Sequence, residues 1–478
     1  MTTLSVFLDV PLAKAADVPL DAYRADPSPP KVCLGHAGCQ TDLEEVWIPP
    51  VVKRILLQIP EDPTLNHEYL PQLGILGFTR AAMELAIGKD SHALLDNRAC
   101  GVQTNGGTGA LWIGAEFLHH WYKPSYCTAP ATVLIAAPHL DNLGCIFQVA
   151  GFSDIRSYHY WDPIKLTVDT EGFLEELQDA PEGSIVFLHA PEETGLTPKQ
   201  WEEVAAVMEK KHLFPFFDIA AQGLASGNLD KDAWAVRHFV AKGFELLCAQ
   251  SFSKMFGLYE ERVGNLIVVT KNNQTLIRIQ SQLSKQICMT WFSPTSLGAR
   301  VIAMVLTSPA LLYEWKQSLL KLVKRIMLIR EKLKEKLRIL GTPGSWEHIT
   351  AQSGVNSFVG LLPSQVDFLA QHKHIYLLAN KQINICSINS KNLDYVAQSI
   401  HEAIVTTIPQ IQTTAHGPSR VLIIHAGEND LVDQKGIALA LAACLVPDND
   451  YRLVQSPTSS SLERSFQSLS HQLCCGKN

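Results

Sequence analysis

FELLCAQSFSKMFGLYEERVGNLIVVT, residues 244–270, holds two apolar runs of strand length separated by a hydrophilic cluster. Ser251, Ser253 and Lys254 break the first run where it would otherwise read as core, and Arg262 stands eight positions beyond the lysine. Runs this short, apolar at successive positions and not only at alternate ones, suit strands buried on both faces. Related runs recur along the chain: TVLIAAP at 132–138, SIVFLHA at 184–190, HLFPFFDIA at 212–220, ELLCAQSFS at 245–253 and NLIVVT at 265–270. Helix-length segments lie between them, which predicts an α/β domain built on a parallel sheet.

The 478 residues are 46% hydrophobic and 18% charged, enough chain for a large core and more than one domain. A formal net charge of −7 offers no basic field for nucleic acid, and no Lys/Arg-dense stripe with interleaved aromatics occurs. The eleven cysteines lack C-x-x-C or Cys/His ligand spacing, apart from the adjacent Cys474 and Cys475, so no metal is expected. Such scatter suits free thiols in a reducing compartment. The opening MTTLSVFLDVPLAKAADVPL has neither a charged n-region with an apolar h-region nor an Arg-rich presequence. No run of eighteen uninterrupted apolar residues follows, so a cytoplasmic location without a membrane span is expected.

At 311–340 the texture changes to LLYEWKQSLLKLVKRIMLIREKLKEKLRIL. Leu319, Leu322, Ile326, Ile329, Leu333, Leu337 and Leu340 recur at helical spacing with charged residues between them. The spacing predicts one long amphipathic helix whose apolar stripe bridges two domains. From about residue 412 onward, GPSR and SPTSSS punctuate two apolar pieces, RVLIIHAG and IALALAACLV, and this portion reads as a partly ordered appendage.

Ligands of α/β sheets gather at the carboxyl ends of parallel strands, so polar residues just after the apolar runs are candidates. Asp218 ends LFPFFD, Lys254 ends CAQSFSK, and in GVQTNGGTGALWIGAEFL the residues Gly106, Gly107, Thr108 and Gly109 open a helical pattern. The last offers backbone N–H groups and a positive helix end to an anion. Each has a plainer reading: a capping aspartate, a solvated lysine, a tight turn. The glycines fail the dinucleotide fingerprint, because the third is displaced and no clear strand precedes them. Ser251–Lys254 also fits S-x-x-K, but so do Ser28–Lys31 and Ser318–Lys321, without S-D-N or K-T-G. One cofactor uses all three features at once: pyridoxal phosphate needs a lysine for its aldehyde, a carboxylate against its ring nitrogen and a phosphate cradle. Arg262 is suited to pair with the phosphate dianion.

SFSKMFGLYEERVGNL closely resembles the cofactor-lysine segment of the aspartate aminotransferase family, which usually reads SFSKNFGLYNERVGNL. The resemblance runs from SVFLDVP to about residue 410, through NHEYLPQLG, GGTGAL, GFSDIRSYHYWD, FPFFD, SGNLDKDAWA, SPTSLGAR and KNLDYVAQSIHEA, and is nearest the cytosolic branch with its diverged second paralogue. It implies a fold-type-I transferase dependent on pyridoxal 5'-phosphate, with a mostly parallel sheet flanked by helices and a smaller α/β domain. The implied divisions are an arm and small-domain segment at 1–47, a large cofactor domain at 48–310, a small domain at 311–411 and an extension at 412–478. Implied too are a homodimer with shared active sites and amino-acid and 2-oxo-acid ligands, the nominal reaction being L-aspartate with 2-oxoglutarate.

Carried over by this resemblance, Lys254 joins the cofactor and catalyses, and Asp218 meets the ring nitrogen. Gly106, Gly107, Thr108, Ser251 and Arg262 hold the phosphate, with Tyr69 reaching it from the other subunit. The departures lie elsewhere. The family's arginine for the substrate α-carboxylate is Gln382, and the arginine for the distal carboxylate is Cys288. The aromatic over the ring is Leu140, the tyrosine at the ring hydroxyl is Ala221, and a nearby asparagine aligns with Glu192. The histidine behind Asp218 aligns with Leu143, and a substrate-loop glycine with Ala37. Three readings follow: an aminotransferase, a cofactor-binding protein without catalysis, or an enzyme of other chemistry with the same cofactor, such as racemisation or action on less charged amino acids.

Overall fold

The computed structural model describes residues 5, 7–12, 18–63, 65–125, 130–162, 165–190 and 195–407, together with the backbone of Gln412–Thr414, Arg420–Ile423 and Tyr451–Leu453. Two compact units divide the chain, Met1–Ala403 and Ile404–Asn478. In the second, the three short strands form one small sheet, and the remainder of the extension at 412–478 lies outside the described residues.

Seven strands build the central sheet of the first unit: β1 Ala99–Asn105, β2 Val133–Ala136, β3 Ile155–Tyr158, β4 Ile185–His189, β5 Phe214–Ile219, β6 Leu246–Ser251 and β7 Val263–Val269. Their order is β1-β7-β6-β5-β4-β2-β3. Alternate residues face opposite helical layers. Phe216, Leu247 and Val268 pack towards the helices Gly106–Trp121 and Asn273–Thr290, whereas Phe217, Cys248 and Ile267 pack towards Pro198–Lys210 and Trp234–Ala241. Both faces are therefore dry, as the unbroken apolar runs require, and each such large side chain contributes about 1.5–3 kcal/mol by its burial.

Two features differ from the sequence expectation. NLIVVT forms a strand, yet β7 runs antiparallel to both β1 and β6. A parallel return needs a crossover of a dozen or more residues, and the Phe252–Arg262 connection contains only the short helix Ser253–Phe256. The second difference is β1, which directly precedes the glycine cluster where no strand was expected. ACGVQTN looks too polar for a buried strand, but Gln103 and Thr104 within it are paired. Gln103 accepts from Ile75 N at 3.0 Å and donates to Thr295 O at 2.6 Å, and Thr104 donates to Gly106 O at 3.0 Å.

The long helix spans Pro309–Ile339, with Leu319, Leu322, Ile326, Ile329, Leu333 and Leu337 buried and Leu340 exposed just beyond its end. Trp315 anchors it to the lysine segment: its ring stacks on Phe256 at 4.6 Å and its Nε1 donates to Met255 O at 2.9 Å. Segments from opposite ends of this unit meet where Val32–Cys33 pairs with Ile375–Tyr376, and nearby in sequence to the latter Asn356–Phe358 pairs with Gln382–Asn384.

Candidate functional site

The carboxyl ends of β1, β4, β5 and β6 and the start of the reversed β7 share one sheet edge. The register makes this concrete: His189 pairs with Asp218, Ser251 with Gly264 and Asn105 with Val263. Asp218, His189, Ser251, Lys254, Arg262 and the glycine cluster therefore converge, although they are drawn from segments far apart in the chain.

Gly106 begins the helix Gly106–Trp121 with φ +72°, a conformation that L side chains rarely adopt. A Cβ there would come within 2.8 Å of Arg262 Cζ, and one on Gly107 within 2.9 Å of Ser251 Cβ. The missing side chains are what allow the guanidinium and the hydroxyl to close on the helix start. Thr108 follows on the exposed side of the same turn. The first-turn N–H groups have no intrahelical acceptors, and the Asn105 side chain does not cap them. Asn105 Oδ1 and Ser253 Oγ are both buried there without a hydrogen-bond partner among the described residues. A concave start of a helix, a guanidinium and unspent polar atoms fit a phosphate group.

Asp218 is nearly enclosed, and its Oδ2 lies 3.4 Å from His189 Nδ1. The His189 ring in turn lies against His139, centroids 4.3 Å apart. The histidine that meets Asp218 is thus His189, whereas Leu143 packs against the apolar core. The signal for His189 was present, a polar residue ending SIVFLHA as Asp218 ends LFPFFD. Lys254 is half-buried in the short helix Ser253–Phe256, and its Nζ makes no hydrogen bond or ion pair with another described residue. A carboxylate, an uncommitted amine and an anion cradle at one edge match the needs of pyridoxal phosphate.

Other expected positions are placed as follows. Leu140 opens the helix Leu140–Ala150, and Ala221 lies in the turn after β5. Gln382 is 2% exposed; its Oε1 accepts from Asn380 Nδ2 at 2.9 Å while its Nε2 has no partner among the described residues. Ala37 is exposed in a loop tied to the same strand, where Asn384 Nδ2 donates to His36 O at 2.6 Å and to Gly38 O at 2.9 Å. Glu192 lies outside the described residues. Tyr69 is 74% exposed, with its ring edge-on to Phe292 at 5.1 Å. Cys288 is exposed in the last turn of Asn273–Thr290. A cavity of about 580 Å³ lies at the opposite ends of β5 and β6, against Phe214 and Leu246, and takes no part in this constellation. Among the described residues no group of His, Cys, Asp and Glu could hold a metal ion, and no single helix is long and apolar enough to cross a membrane.

Comparison with known proteins identifies the family and the fold. The sequence model of the family "Aminotransferase class I and II" matches residues 37–400. The cytoplasmic aspartate aminotransferase of Gallus gallus is 50% identical over 406 residues, which is 84% of this chain and 98% of that protein. A Bos taurus protein named "Putative aspartate aminotransferase, cytoplasmic 2" is 43% identical over 408 residues, 85% of this chain and 99% of that protein. Among solved structures, the aromatic-amino-acid aminotransferase of Burkholderia pseudomallei, covalently bound to pyridoxal phosphate, superposes with a TM-score of 0.79 at 34% identity. It covers 84% of this chain and 100% of its own.

Proposed function

Since this chain belongs to the class I and II aminotransferase family, whose members depend on pyridoxal phosphate, we propose that it holds that cofactor at the Lys254 edge and transfers amino groups between amino and 2-oxo acids. The nominal pair is L-aspartate and 2-oxoglutarate, giving oxaloacetate and L-glutamate. The observation that carries this reading is the convergence of Lys254, Asp218 and the Gly106–Arg262 cradle on one edge.

When bound, the cofactor supplies an electron sink that makes the substrate Cα proton acidic. The chain's own groups do the rest. Arg262, Ser251 and the first-turn N–H groups after Gly106 hold the phosphate and fix its orientation. Asp218, positioned by His189, keeps a proton on the ring nitrogen. Lys254 Nζ would hold the cofactor at its aldehyde carbon and would take up and return the proton at the substrate Cα.

A second reading concerns the substrate grip, and Gln382 motivates it. A buried carboxamide with an unspent donor stands where the family resemblance places an arginine, and Cys288 stands where it places another. A neutral amide cannot reproduce a guanidinium fork, so aspartate is held weakly and less charged amino acids are favoured, or the fold is kept for binding alone. The exposed Tyr69, Met289 and Phe292 suit a face covered by a second copy, and the relatives' names favour a cytoplasmic location. Titrating the cofactor-loaded protein with aspartate and with apolar amino acids, while following cofactor absorbance, tests both readings. A spectrum that no amino acid alters contradicts transamination.

A further inference from the structure

We propose that Tyr259 and Asn384 are positioning residues for the substrate: they fasten the Leu34–Gln40 loop between the lysine segment and the Gln382–Asn384 strand, and so fix the spare amide donor of Gln382 relative to Lys254. The inference rests on the aminotransferase reading above, and it gives Gln382 Nε2 an oxygen of the amino or 2-oxo acid as its partner.

The lysine segment holds the loop from one side. Tyr259 follows Lys254 in the same segment, and its hydroxyl oxygen accepts from Cys39 N at 2.8 Å. Its ring lies against Gly38, where an added Cβ would come within 3.1 Å of Tyr259 Cζ. Gly257, with φ +65°, leaves no room for a Cβ against Trp47 O, so the chain leaving the loop presses on the lysine segment a second time. Glycine permits both close approaches.

The strand holds the loop from the other side. Asn384 Nδ2 donates to His36 O at 2.6 Å and to Gly38 O at 2.9 Å, while its backbone N donates to Leu34 O at 2.7 Å. Its Oδ1 accepts from Cys386 N at 2.9 Å, so this carboxamide is fully spent. A Cβ on Gly35 would lie 2.7 Å from Leu377 O, and Arg325 Nη1 donates to Gln40 O at 2.8 Å. The loop has little slack along its length.

Gln382 and Asn384 alternate with Ile383 along the strand, so their side chains share one face. On that face Asn384 reaches the loop, and the loop reaches Tyr259. Gln382 differs from Asn384 in being only half spent: Oε1 accepts from Asn380 Nδ2, whereas Nε2 is buried without a partner among the described residues. A buried unpaired donor is costly, and a ligand oxygen relieves that cost. The hydrogen-bonded path from the lysine segment to this strand sets where the donor stands, which is what aligns a substrate Cα for proton transfer.

The test uses the full-length protein loaded with pyridoxal phosphate, the amino acid that alters its spectrum most, and Tyr259→Phe, which keeps the ring against Gly38 and removes only the acceptor. The Cys39 amide is expected to exchange hydrogen at least about tenfold faster, while the Kd for pyridoxal phosphate changes by less than about twofold. kcat/KM is expected to fall about tenfold, through KM, in the parent background but by less than about twofold in Gln382→Ala, because a residue that acts through Gln382 then has nothing to position. Asn384→Ala is expected to show the same dependence on background. Equal losses in the two backgrounds, a cofactor Kd that weakens in step with KM, or an unchanged Cys39 exchange rate each overturn the proposal. A parent protein whose spectrum answers to no amino acid defeats the aminotransferase reading and this inference with it, whereas a responsive parent with equal losses defeats this inference alone.

Discussion

Three substitutions at single residues separate the parts of the proposed site. Asp218→Asn removes the charge that keeps the ring nitrogen protonated, so turnover falls by about 10²–10⁴-fold while cofactor binding changes far less. Single-turnover kinetics read this, and an unchanged rate sinks the role. Gly106→Ala puts a Cβ against Arg262 at a residue with φ +72°, and the guanidinium must withdraw from the cradle. Losing one charge-assisted hydrogen bond costs about 1.5–3 kcal/mol, so the Kd for pyridoxal phosphate weakens by about 10- to 100-fold in a fluorescence titration. Unaltered affinity would show that the cradle does not hold the phosphate. Gln382→Arg introduces a guanidinium beside Asn380, and kcat/KM for aspartate rises at least about tenfold if the carboxylate is gripped there. No gain would place the carboxylate elsewhere. Lys254 and Asp218 were legible in the sequence because a charge at the end of an apolar run is conspicuous. Asn105 and Ser253 were not, since only the fold reveals that their polar atoms are buried and unpartnered.

At the scale of elements, long apolar runs announced β2 and β4–β7, and a leucine stripe announced the helix Pro309–Ile339. β1 was hidden because side-chain amides and hydroxyls pay for its burial through specific bonds that composition does not reveal. The reversal of β7 follows from loop length and not from the strand's own residues. The helix Val18–Ala25 and the loop after it dock through Asp26, which accepts from Ser28 N at 2.8 Å and from Tyr376 Oη at 2.8 Å and faces His374 Nδ1 at 2.7 Å. The Ser28 backbone bond first, then the Tyr376 hydroxyl, hold the Asp26 carboxyl well below its ordinary value, and Tyr376 is pushed up to about 12. A carboxylate whose folded pKa is depressed stabilises above its unfolded value, about 3.9, and loses that contribution as pH falls through the folded value. Asp26→Asn therefore lowers the thermal midpoint at pH 7, and the gap from the parent protein closes on acidification below about pH 4. A gap that is constant with pH contradicts the ionic origin.

For the whole molecule, the fold and the family agree, while Tyr69 and Cys288 are exposed. If a second copy covers these positions, sedimentation gives a species of twice the chain mass, and Met289→Asp shifts it to monomer by burying an unpaired charge. A monomeric parent protein would remove shared active sites from the account. Such a face is not legible from periodicity, because an exposed apolar residue reads the same whether water or a partner covers it. The central claim is that Lys254 carries the cofactor. Loading the protein with pyridoxal phosphate, reducing it with borohydride and mapping peptides by mass tests this directly. The account predicts a phosphopyridoxyl group on Lys254 alone; label on another lysine, or none at all, would contradict it.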